Sequence, residues 1–389
     1  MVVIKNVSAK SILDSRGEKT ILVSIKTNVG SFSSSAPNGK SKGKYEQKPY
    51  IKTLEKDIET IKKFNGYFSK DEIEKFDDLR RVEDIVERHV GANTLFALES
   101  AALKAMAKEQ KKQVWQLINP NAKKMPRLVG NCIGGGLHSE SGEKKKPDFQ
   151  EFLLIPKEKT LKESYNTNLE IKKTLGFLLK KQDKTFSGKK NDEDAWQTSL
   201  NEKEVLEILK ETNVDKGVDV AASSFHKRKK YLYRNPMLSR DSEEQFSYIS
   251  NLIKNFSIFY IEDPFSEEDF SGFSALLKKH PDSFIVGDDL TVTNKKRVKK
   301  AVEEKSVNAI IVKPNQNGSL LDVKDICEYA KKHGIKIVFS HRSGETTENI
   351  LADLAFGFQA DFFKCGITGR EREAKIKRLI EIERKLTTS

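Results

Sequence analysis

The feature that most constrains this chain is a rhythm in its last two-thirds. Beyond Pro120 short apolar runs recur: VGNCI, FQEFLLI, VDVAA, SIFYI, SFIVG, NAIIV, IKIVF and DFFK. The later runs are separated by helical segments such as NKKRVKKAVEEK and SLLDVKDICEYAKKHG. Runs this short read as buried strands, and a helix between two of them imposes a crossover and hence parallel pairing. Eight such strands suit a closed barrel, and no G-x-G-x-x-G turn supports an open dinucleotide-binding sheet.

The stretch before the rhythm has another texture. Thr20–Thr27 is β-rich, Asn28-Val29-Gly30 signals a turn, and Ser31–Ala36 resumes extended structure, which predicts a hairpin. Pro37–Lys44 is a polar, glycine-containing loop, and Tyr50–Gln113 turns helical, with Asn93 as the expected N-cap of a long helix over TLFALESAALKAMAKEQKK. The expected organisation is an α+β N-terminal domain over residues 1–122 and a (β/α)8 barrel over 123–389, with Lys180–Asp194 as a polar, mobile loop.

Composition excludes several classes. With 37% hydrophobic residues the chain can bury a core, and the cysteines Cys132, Cys327 and Cys365 form neither a disulfide framework nor a C-x-x-C motif. No apolar run approaches the ~18 residues of a membrane span. The N-terminus has no signal-peptide pattern, so a cytoplasmic, reducing location is expected. The net charge of +13 is spread over lysines interleaved with glutamates, as on solvated helix faces. Its sharpest clusters, Lys144–Lys146 and Lys227–Lys230, sit in no nucleic-acid-binding motif, so no nucleic-acid partner is expected.

In a parallel barrel the chemistry sits where the strands end. Here Glu262 follows SIFYI, Asp288 follows SFIVG, Lys313 follows NAIIV, His341 and Arg342 follow KIVFS, Lys364 ends DFFK, Asp219 lies within GVDVAA, and Glu151 begins EFLLI. Asp219, Glu262 and Asp288 form an all-oxygen set, which favours Mg²⁺ over zinc. Crowded carboxylates need a cation, while a second ammonium group and a metal lower a lysine's pKa toward the range of a general base. Arg342 has the planar fork for a carboxylate or phosphate. A metal beside a neutral lysine suggests removal of a proton next to a carboxylate.

These residues lie within motifs that together resemble the enolase family over almost the full length: SRGEKT, APNGKSKGKYE, VGANTLFAL, GGGLHSESG, FQEFLLIP, GVDVAASSF, IEDPF, VGDDLTVTN, IIVKPNQNGS, SHRSGET and KCGITGRERE. The resemblance implies an Mg²⁺-dependent lyase, with two ions per active site, that reversibly dehydrates 2-phosphoglycerate to phosphoenolpyruvate in glycolysis and gluconeogenesis. It implies Asp219, Glu262 and Asp288 as ligands of the first Mg²⁺, with Ser41 in the closing loop positioning the second. Lys313 is implied as the base at C2, Glu193 as the acid at C3 with Glu151 assisting, and Lys364 as the contact to the substrate carboxylate. Arg342 and Ser343 would hold the phosphate, His138 and His341 would line the pocket, and a homo-oligomer is expected.

The chain departs from the family pattern in places. Asp194-Ala195 stand where two glycines are usual, Lys40 and Lys42 enter the closing loop, Ser224 replaces a common glutamate, and Leu22 replaces a glutamate of the usual subunit contact. An added charge at Asp194 is expected to raise the pKa of Glu193. Two alternatives follow: a diverged dehydratase or epimerase acting on another phosphorylated or carboxylated acid, and a non-catalytic binding protein for an anionic partner.

Overall fold

The computed structural model describes residues 1–40, 43–68, 72–139 and 145–387. The N-terminal region holds β1 (Val2–Leu13), β2 (Lys19–Thr27), β3 (Gly30–Ser35) and β4 (Glu72–Ile73) in an antiparallel sheet of order β3-β2-β1-β4. The predicted hairpin is β2–β3, closed with Thr27 opposite Gly30. The sequence reading missed β1. Its buried positions switch from Val2 and Ile4 to Val7 and Ala9 across a bulge between Ile4 and Asn6, so the alternation breaks phase.

Helices α1 (Leu54–Lys63), α2 (Leu79–Val86), α3 (Ala92–Glu109) and α4 (Val114–Ile118) follow. Thr53 caps α1 by accepting from the Lys56 amide at 3.2 Å. The cap of α3 is Gly91, not Asn93 as expected. The amides of Ala92 and Asn93 are taken by the carbonyls of Lys48 and Pro49, which frees the Asn93 side chain to accept from Asn315 at 2.9 Å. Helix α3 is buried on nearly all sides because it lies between the sheet and the barrel.

The barrel is β5 (Arg127–Gly134), β6 (Glu151–Ile155), β8 (Asp215–Asp219), β12 (Ile258–Glu262), β13 (Phe284–Gly287), β14 (Ala309–Val312), β15 (Lys336–Ser340) and β16 (Phe362–Gly366), closed by pairing of β16 with β5. These strands are the eight predicted runs. One differs from the expectation: β6 is antiparallel to both β5 and β8. Among the described residues no crossover α-helix joins β5 to β6, and the chain returns the other way. A short β7 (Trp196–Gln197) pairs in parallel with the end of β5, Ile133 opposite Trp196 and Gly134 opposite Gln197.

Between β5 and β16 the chain adds α5 (Leu161–Gln182), α6 (Glu202–Lys210), α7 (Ser242–Phe256), α8 (Phe270–Lys279), α9 (Lys295–Glu303), α10 (Pro314–Asn317), α11 (Leu320–Lys332) and α12 (Ile350–Gly357), and ends with α13 (Arg370–Thr387). Helix α5 carries the chain to Gln182, so the polar loop expected from Lys180 begins at Asp183. A small sheet of β9 (His226–Lys227), β10 (Lys230–Arg234) and β11 (Met237–Arg240) was also missed. The basic run 227–230 is its hairpin tip: Lys227 pairs with Lys230, and Arg228 and Lys229 both have positive φ.

Two apolar layers form. Val129, Leu153, Tyr260, Val286, Ile311, Val338 and Phe362 make one cluster within the barrel, while Ile133, Phe152, Ile261, Ile285, Ile310, Val312, Ile337 and Phe363 belong to the layer under the helices. Alternation along each strand divides the two sets.

Candidate active site

That alternation places the chemistry. Two residues beyond the interior residues Tyr260, Val286, Ile311 and Phe362 stand Glu262, Asp288, Lys313 and Lys364. Each continues the inward face of its strand into the mouth. Glu151 reaches the same mouth from the start of its strand because β6 is reversed, which sets Glu151 opposite Asp219.

His138, Glu151, Glu193, Asp219, Lys313, His341, Arg342, Ser343 and Lys364 line one cavity, together with Gly39. Glu262 and Asp288 lie against it, joined to Lys364 and Lys313 respectively. Ser41 lies outside the described residues. The cavity therefore gathers residues that span Gly39 to Lys364 in sequence.

One wall is built of acids and amines. The Lys364 ammonium donates to Asp219 Oδ2 at 3.0 Å and Glu262 Oε1 at 2.8 Å, and stands 3.2 Å from Glu151 Oε2. Burial works against its charge, but Asp219, Glu151 and Glu262 outweigh it and raise its pKa well above the ordinary lysine value. Burial likewise lowers Lys313, yet its contact with Asp288 leaves it raised, opposite to the direction a base needs. Burial and then Asp219 push the Glu262 carboxyl up to about 8.

Asp219, Glu262 and Asp288 stand at neighbouring strand ends, and Glu262 pairs in register with Asp219. Among the described residues, two trios have ligand atoms within 4.8 Å of one another: His138, Glu151 and Glu193, and Asp263, Asp288 and Asp289. Only Asp288 of the expected set belongs to one of them.

The other wall is looser. The His138 ring Nδ1 lies 3.5 Å from Glu151 Oε1 and 3.4 Å from Glu193 Oε1, and His341 Nε2 lies 3.4 Å from Glu193 Oε2. Asn131 donates to Glu193 Oε2 at 2.9 Å. Burial lowers both imidazoles and, with Glu193 next, raises Glu151 well above the carboxylate range. Burial also acts to raise Glu193, but His341 and His138 outweigh it and hold this carboxyl well below that range. Glu193 is not raised, contrary to the expectation drawn from Asp194, whose carboxylate is engaged by Lys172 and Lys190. The loop's base is tied by Asp183, whose carboxylate accepts from Thr185, Thr198 and Ser199.

At the third side, Arg342 pairs with Glu46 at 3.1 Å. Gly39 lets the guanidinium lie against the loop: a Cβ there would stand 1.8 Å from the Arg342 Nη2 and would displace it. Asn38 and Gly344 exchange two backbone hydrogen bonds at 2.7 and 2.8 Å, which fastens the N-terminal loop to the barrel. The Lys40 amide donates to Ser343 Oγ at 2.8 Å, and its ammonium meets Asp192 at 2.7 Å.

Sequence reasoning missed the supporting residues. Asp263, next to Glu262, accepts from the amides of Asp288 at 3.1 Å and Asp289 at 2.6 Å and so fixes the turn beyond β13. Tyr260 donates to Glu262 at 2.7 Å, and Arg372 donates to the carbonyls of Asp192 and Ser343 at 3.1 and 2.7 Å. Asp263 and Arg372 lie within IEDPF and KCGITGRERE, so only their roles were unread.

A closed barrel whose mouth pairs buried carboxylates with two lysine amines, capped by a loop from an α+β domain, defines an acid–base enzyme of the barrel class. Family models described as "Enolase, N-terminal domain" and "Enolase, C-terminal TIM barrel domain" match residues 4–118 and 122–389. The chain is 35% identical to the "Enolase" of Picrophilus torridus over 98% of this chain and 99% of that one. It is also 35% identical to the "Enolase" of Methanosphaera stadtmanae (99% and 97% covered) and to that of Pyrobaculum aerophilum (96% and 94%). The chain belongs to the enolase family and is a lyase of that family.

The family implies a divalent metal, and the mouth fits one. Its oxygens are hard donors on adjacent strand ends, and Asp288 Oδ1 is buried without a hydrogen-bond partner.

Proposed function

We propose that this enzyme catalyses the reversible, Mg²⁺-dependent dehydration of 2-phosphoglycerate to phosphoenolpyruvate. The observation that carries the reading is the placement of part-buried Lys313 and buried Lys364 beside Asp288, Glu262 and Asp219 in one mouth, across from Glu193.

Lys313 takes the C2 proton on its Nζ, and Lys364 holds the substrate carboxylate. Arg342 and Ser343 hold the phosphate, while His138 and His341 close the pocket around the leaving hydroxyl. Asp219, Glu262 and Asp288 would hold one Mg²⁺, with Ser41 near a second. When bound, the metal supplies positive charge that offsets the acids, stabilises negative charge on the substrate carboxylate and lowers the pKa of Lys313. Lys364 and Arg342 already act on Lys313 in that direction.

Glu193 delivers a proton to the C3 hydroxyl. Its carboxyl is held low and that of Glu151 high, and Glu151 assists from across the His138 ring. The His138 Nδ1 lies 3.4–3.5 Å from both carboxylates and offers the route between them.

A direct assay tests the reading: 2-phosphoglycerate at saturating Mg²⁺ should yield phosphoenolpyruvate, and chelation should stop it. Absence of turnover, or faster turnover of another 2-substituted acid, would reject it. We further propose that the chain acts in the cytoplasm as a homo-oligomer, with its domain boundary at residues 122/123. Three buried thiols support a reducing location, and no helix among the described residues is long and apolar enough to cross a membrane. Light scattering of the purified protein would test the assembly.

A further inference from the structure

Lys172 is a buried cation with no part in the chemistry above. It projects from the middle of α5, and its side chain is 4% exposed. Its ammonium donates to the backbone carbonyl of Asp194 at 2.5 Å and to Asp194 Oδ2 at 3.2 Å. It also meets the Thr368 hydroxyl, which donates to the same carboxylate. Lys190 adds a second cation at 3.0 Å. Burial acts to raise the Asp194 carboxyl, but Thr368 and Lys172 outweigh it and keep it below the ordinary range.

Asp194 holds a left-handed backbone, φ +63°. That conformation is uphill for an L-residue, although aspartate adopts it more readily than most. The turn is closed from within by Asn191, whose side chain accepts from the amides of Glu193 and Ala195, both at 3.0 Å. The backbones of Asn191 and Ala195 add a bond at 2.8 Å. From outside it is held by Lys172, which grips both the carbonyl and the carboxylate of the left-handed residue. Glu193 is the residue just before this grip. Its carbonyl comes so near Gly366 that a Cβ there would lie 2.7 Å away, so the turn also rests against β16.

We infer that Lys172 is a positioning residue for the acid step: through Asp194 it fixes the backbone that aims the Glu193 carboxyl. The inference rests on the role proposed for Glu193. A merely structural ion pair would, when removed, lower stability and slow both chemical steps alike. A positioning pair changes the ratio of the steps, because the C2 proton leaves on the Lys313 side and the hydroxyl on the Glu193 side.

The experiment compares deuterium exchange at C2 of 2-phosphoglycerate with its dehydration, at saturating Mg²⁺. The variants are Lys172→Met, Lys172→Arg, Lys172→Met with Asp194→Gly, and Glu193→Gln. Lys172→Met should slow dehydration relative to exchange by on the order of tenfold to a hundredfold, with KM nearly unchanged. Lys172→Arg should recover part of the loss. The double variant should recover more, since glycine holds positive φ without an anchor and leaves no unpaired carboxylate. An unchanged ratio in Lys172→Met, or a double variant no better than the single, overturns the inference. Should Lys172→Met not fold, Lys172→Arg decides: a shifted ratio supports the inference and an unshifted one overturns it. A shift in Glu193→Gln without one in the Lys172 variants removes the inference alone. No shift in Glu193→Gln removes the reading of Glu193 and the inference with it.

Discussion

Asp219, Glu262, Asp288 and Lys313 end or directly follow barrel strands and Lys364 stands within β16, whereas Glu193 stands in a loop between α5 and β7 and depends on Asn131, Asn191 and Lys172 for its place. On the strand side, position follows from alternation and neighbouring registers, and each charge is met by an opposite charge within the same mouth. On the loop side, position is assembled from single hydrogen bonds to distant segments. The first kind of wall tolerates substitution of its surroundings and fails only when a functional group is removed. The second can fail through residues that never touch a substrate.

The largest effect should come from the strand wall. Lys313→Ala should cut turnover by on the order of 10⁴-fold while far-ultraviolet circular dichroism stays unchanged. Near-normal activity would take Lys313 out of the base role. Lys364→Met leaves Asp219, Glu262 and Glu151 without their shared ammonium. It should lower stability by roughly 3–5 kcal/mol in chelator. Added Mg²⁺ should restore part of that loss in a thermal melt, and an indifferent melt would argue against a cation site among these acids.

The strand wall was legible because its rules are periodic. Apolar runs gave the barrel, and charged residues that follow or end several of those runs gave Glu262, Asp288, Lys313 and Lys364. The reversal of β6 was not legible, since a buried strand reads the same in either direction; it shows only in the antiparallel pairing of β6 with β5 and β8. Nor was β1, whose bulge breaks the alternation. Glu193 and His138 came from family resemblance alone. The rotation of Asp194 toward Lys172 depends on a cation more than twenty residues earlier, which no local pattern announces.

Two smaller effects belong to the loop wall. Glu193→Gln should slow dehydration by on the order of a hundredfold while C2 exchange persists. Equal loss of both steps would merge the two walls into one catalytic unit. Asp183→Asn should cost about 1 kcal/mol at neutral pH, read from denaturant melts. Burial acts to raise the Asp183 carboxyl, but bonds from Thr198, Ser199 and Thr185 take it from an ordinary 3.8 to about 2. Its folded pKa is therefore depressed, so its contribution is complete above 3.8 and fades as pH falls toward 2. The two melts should converge at the acid end, and a constant gap would mean that the carboxylate charge is not what ties the loop.

The reciprocal amide bonds of Asn38 and Gly344 make the two domains a seam rather than neighbours. If the chain were severed near the domain boundary and the halves produced apart, the fragment bearing Arg342 would hold that guanidinium without Gly39 and Glu46 beside it. Mixing the halves should bring back catalysis only at the pace at which that seam is rejoined, so fragment complementation would time the docking itself.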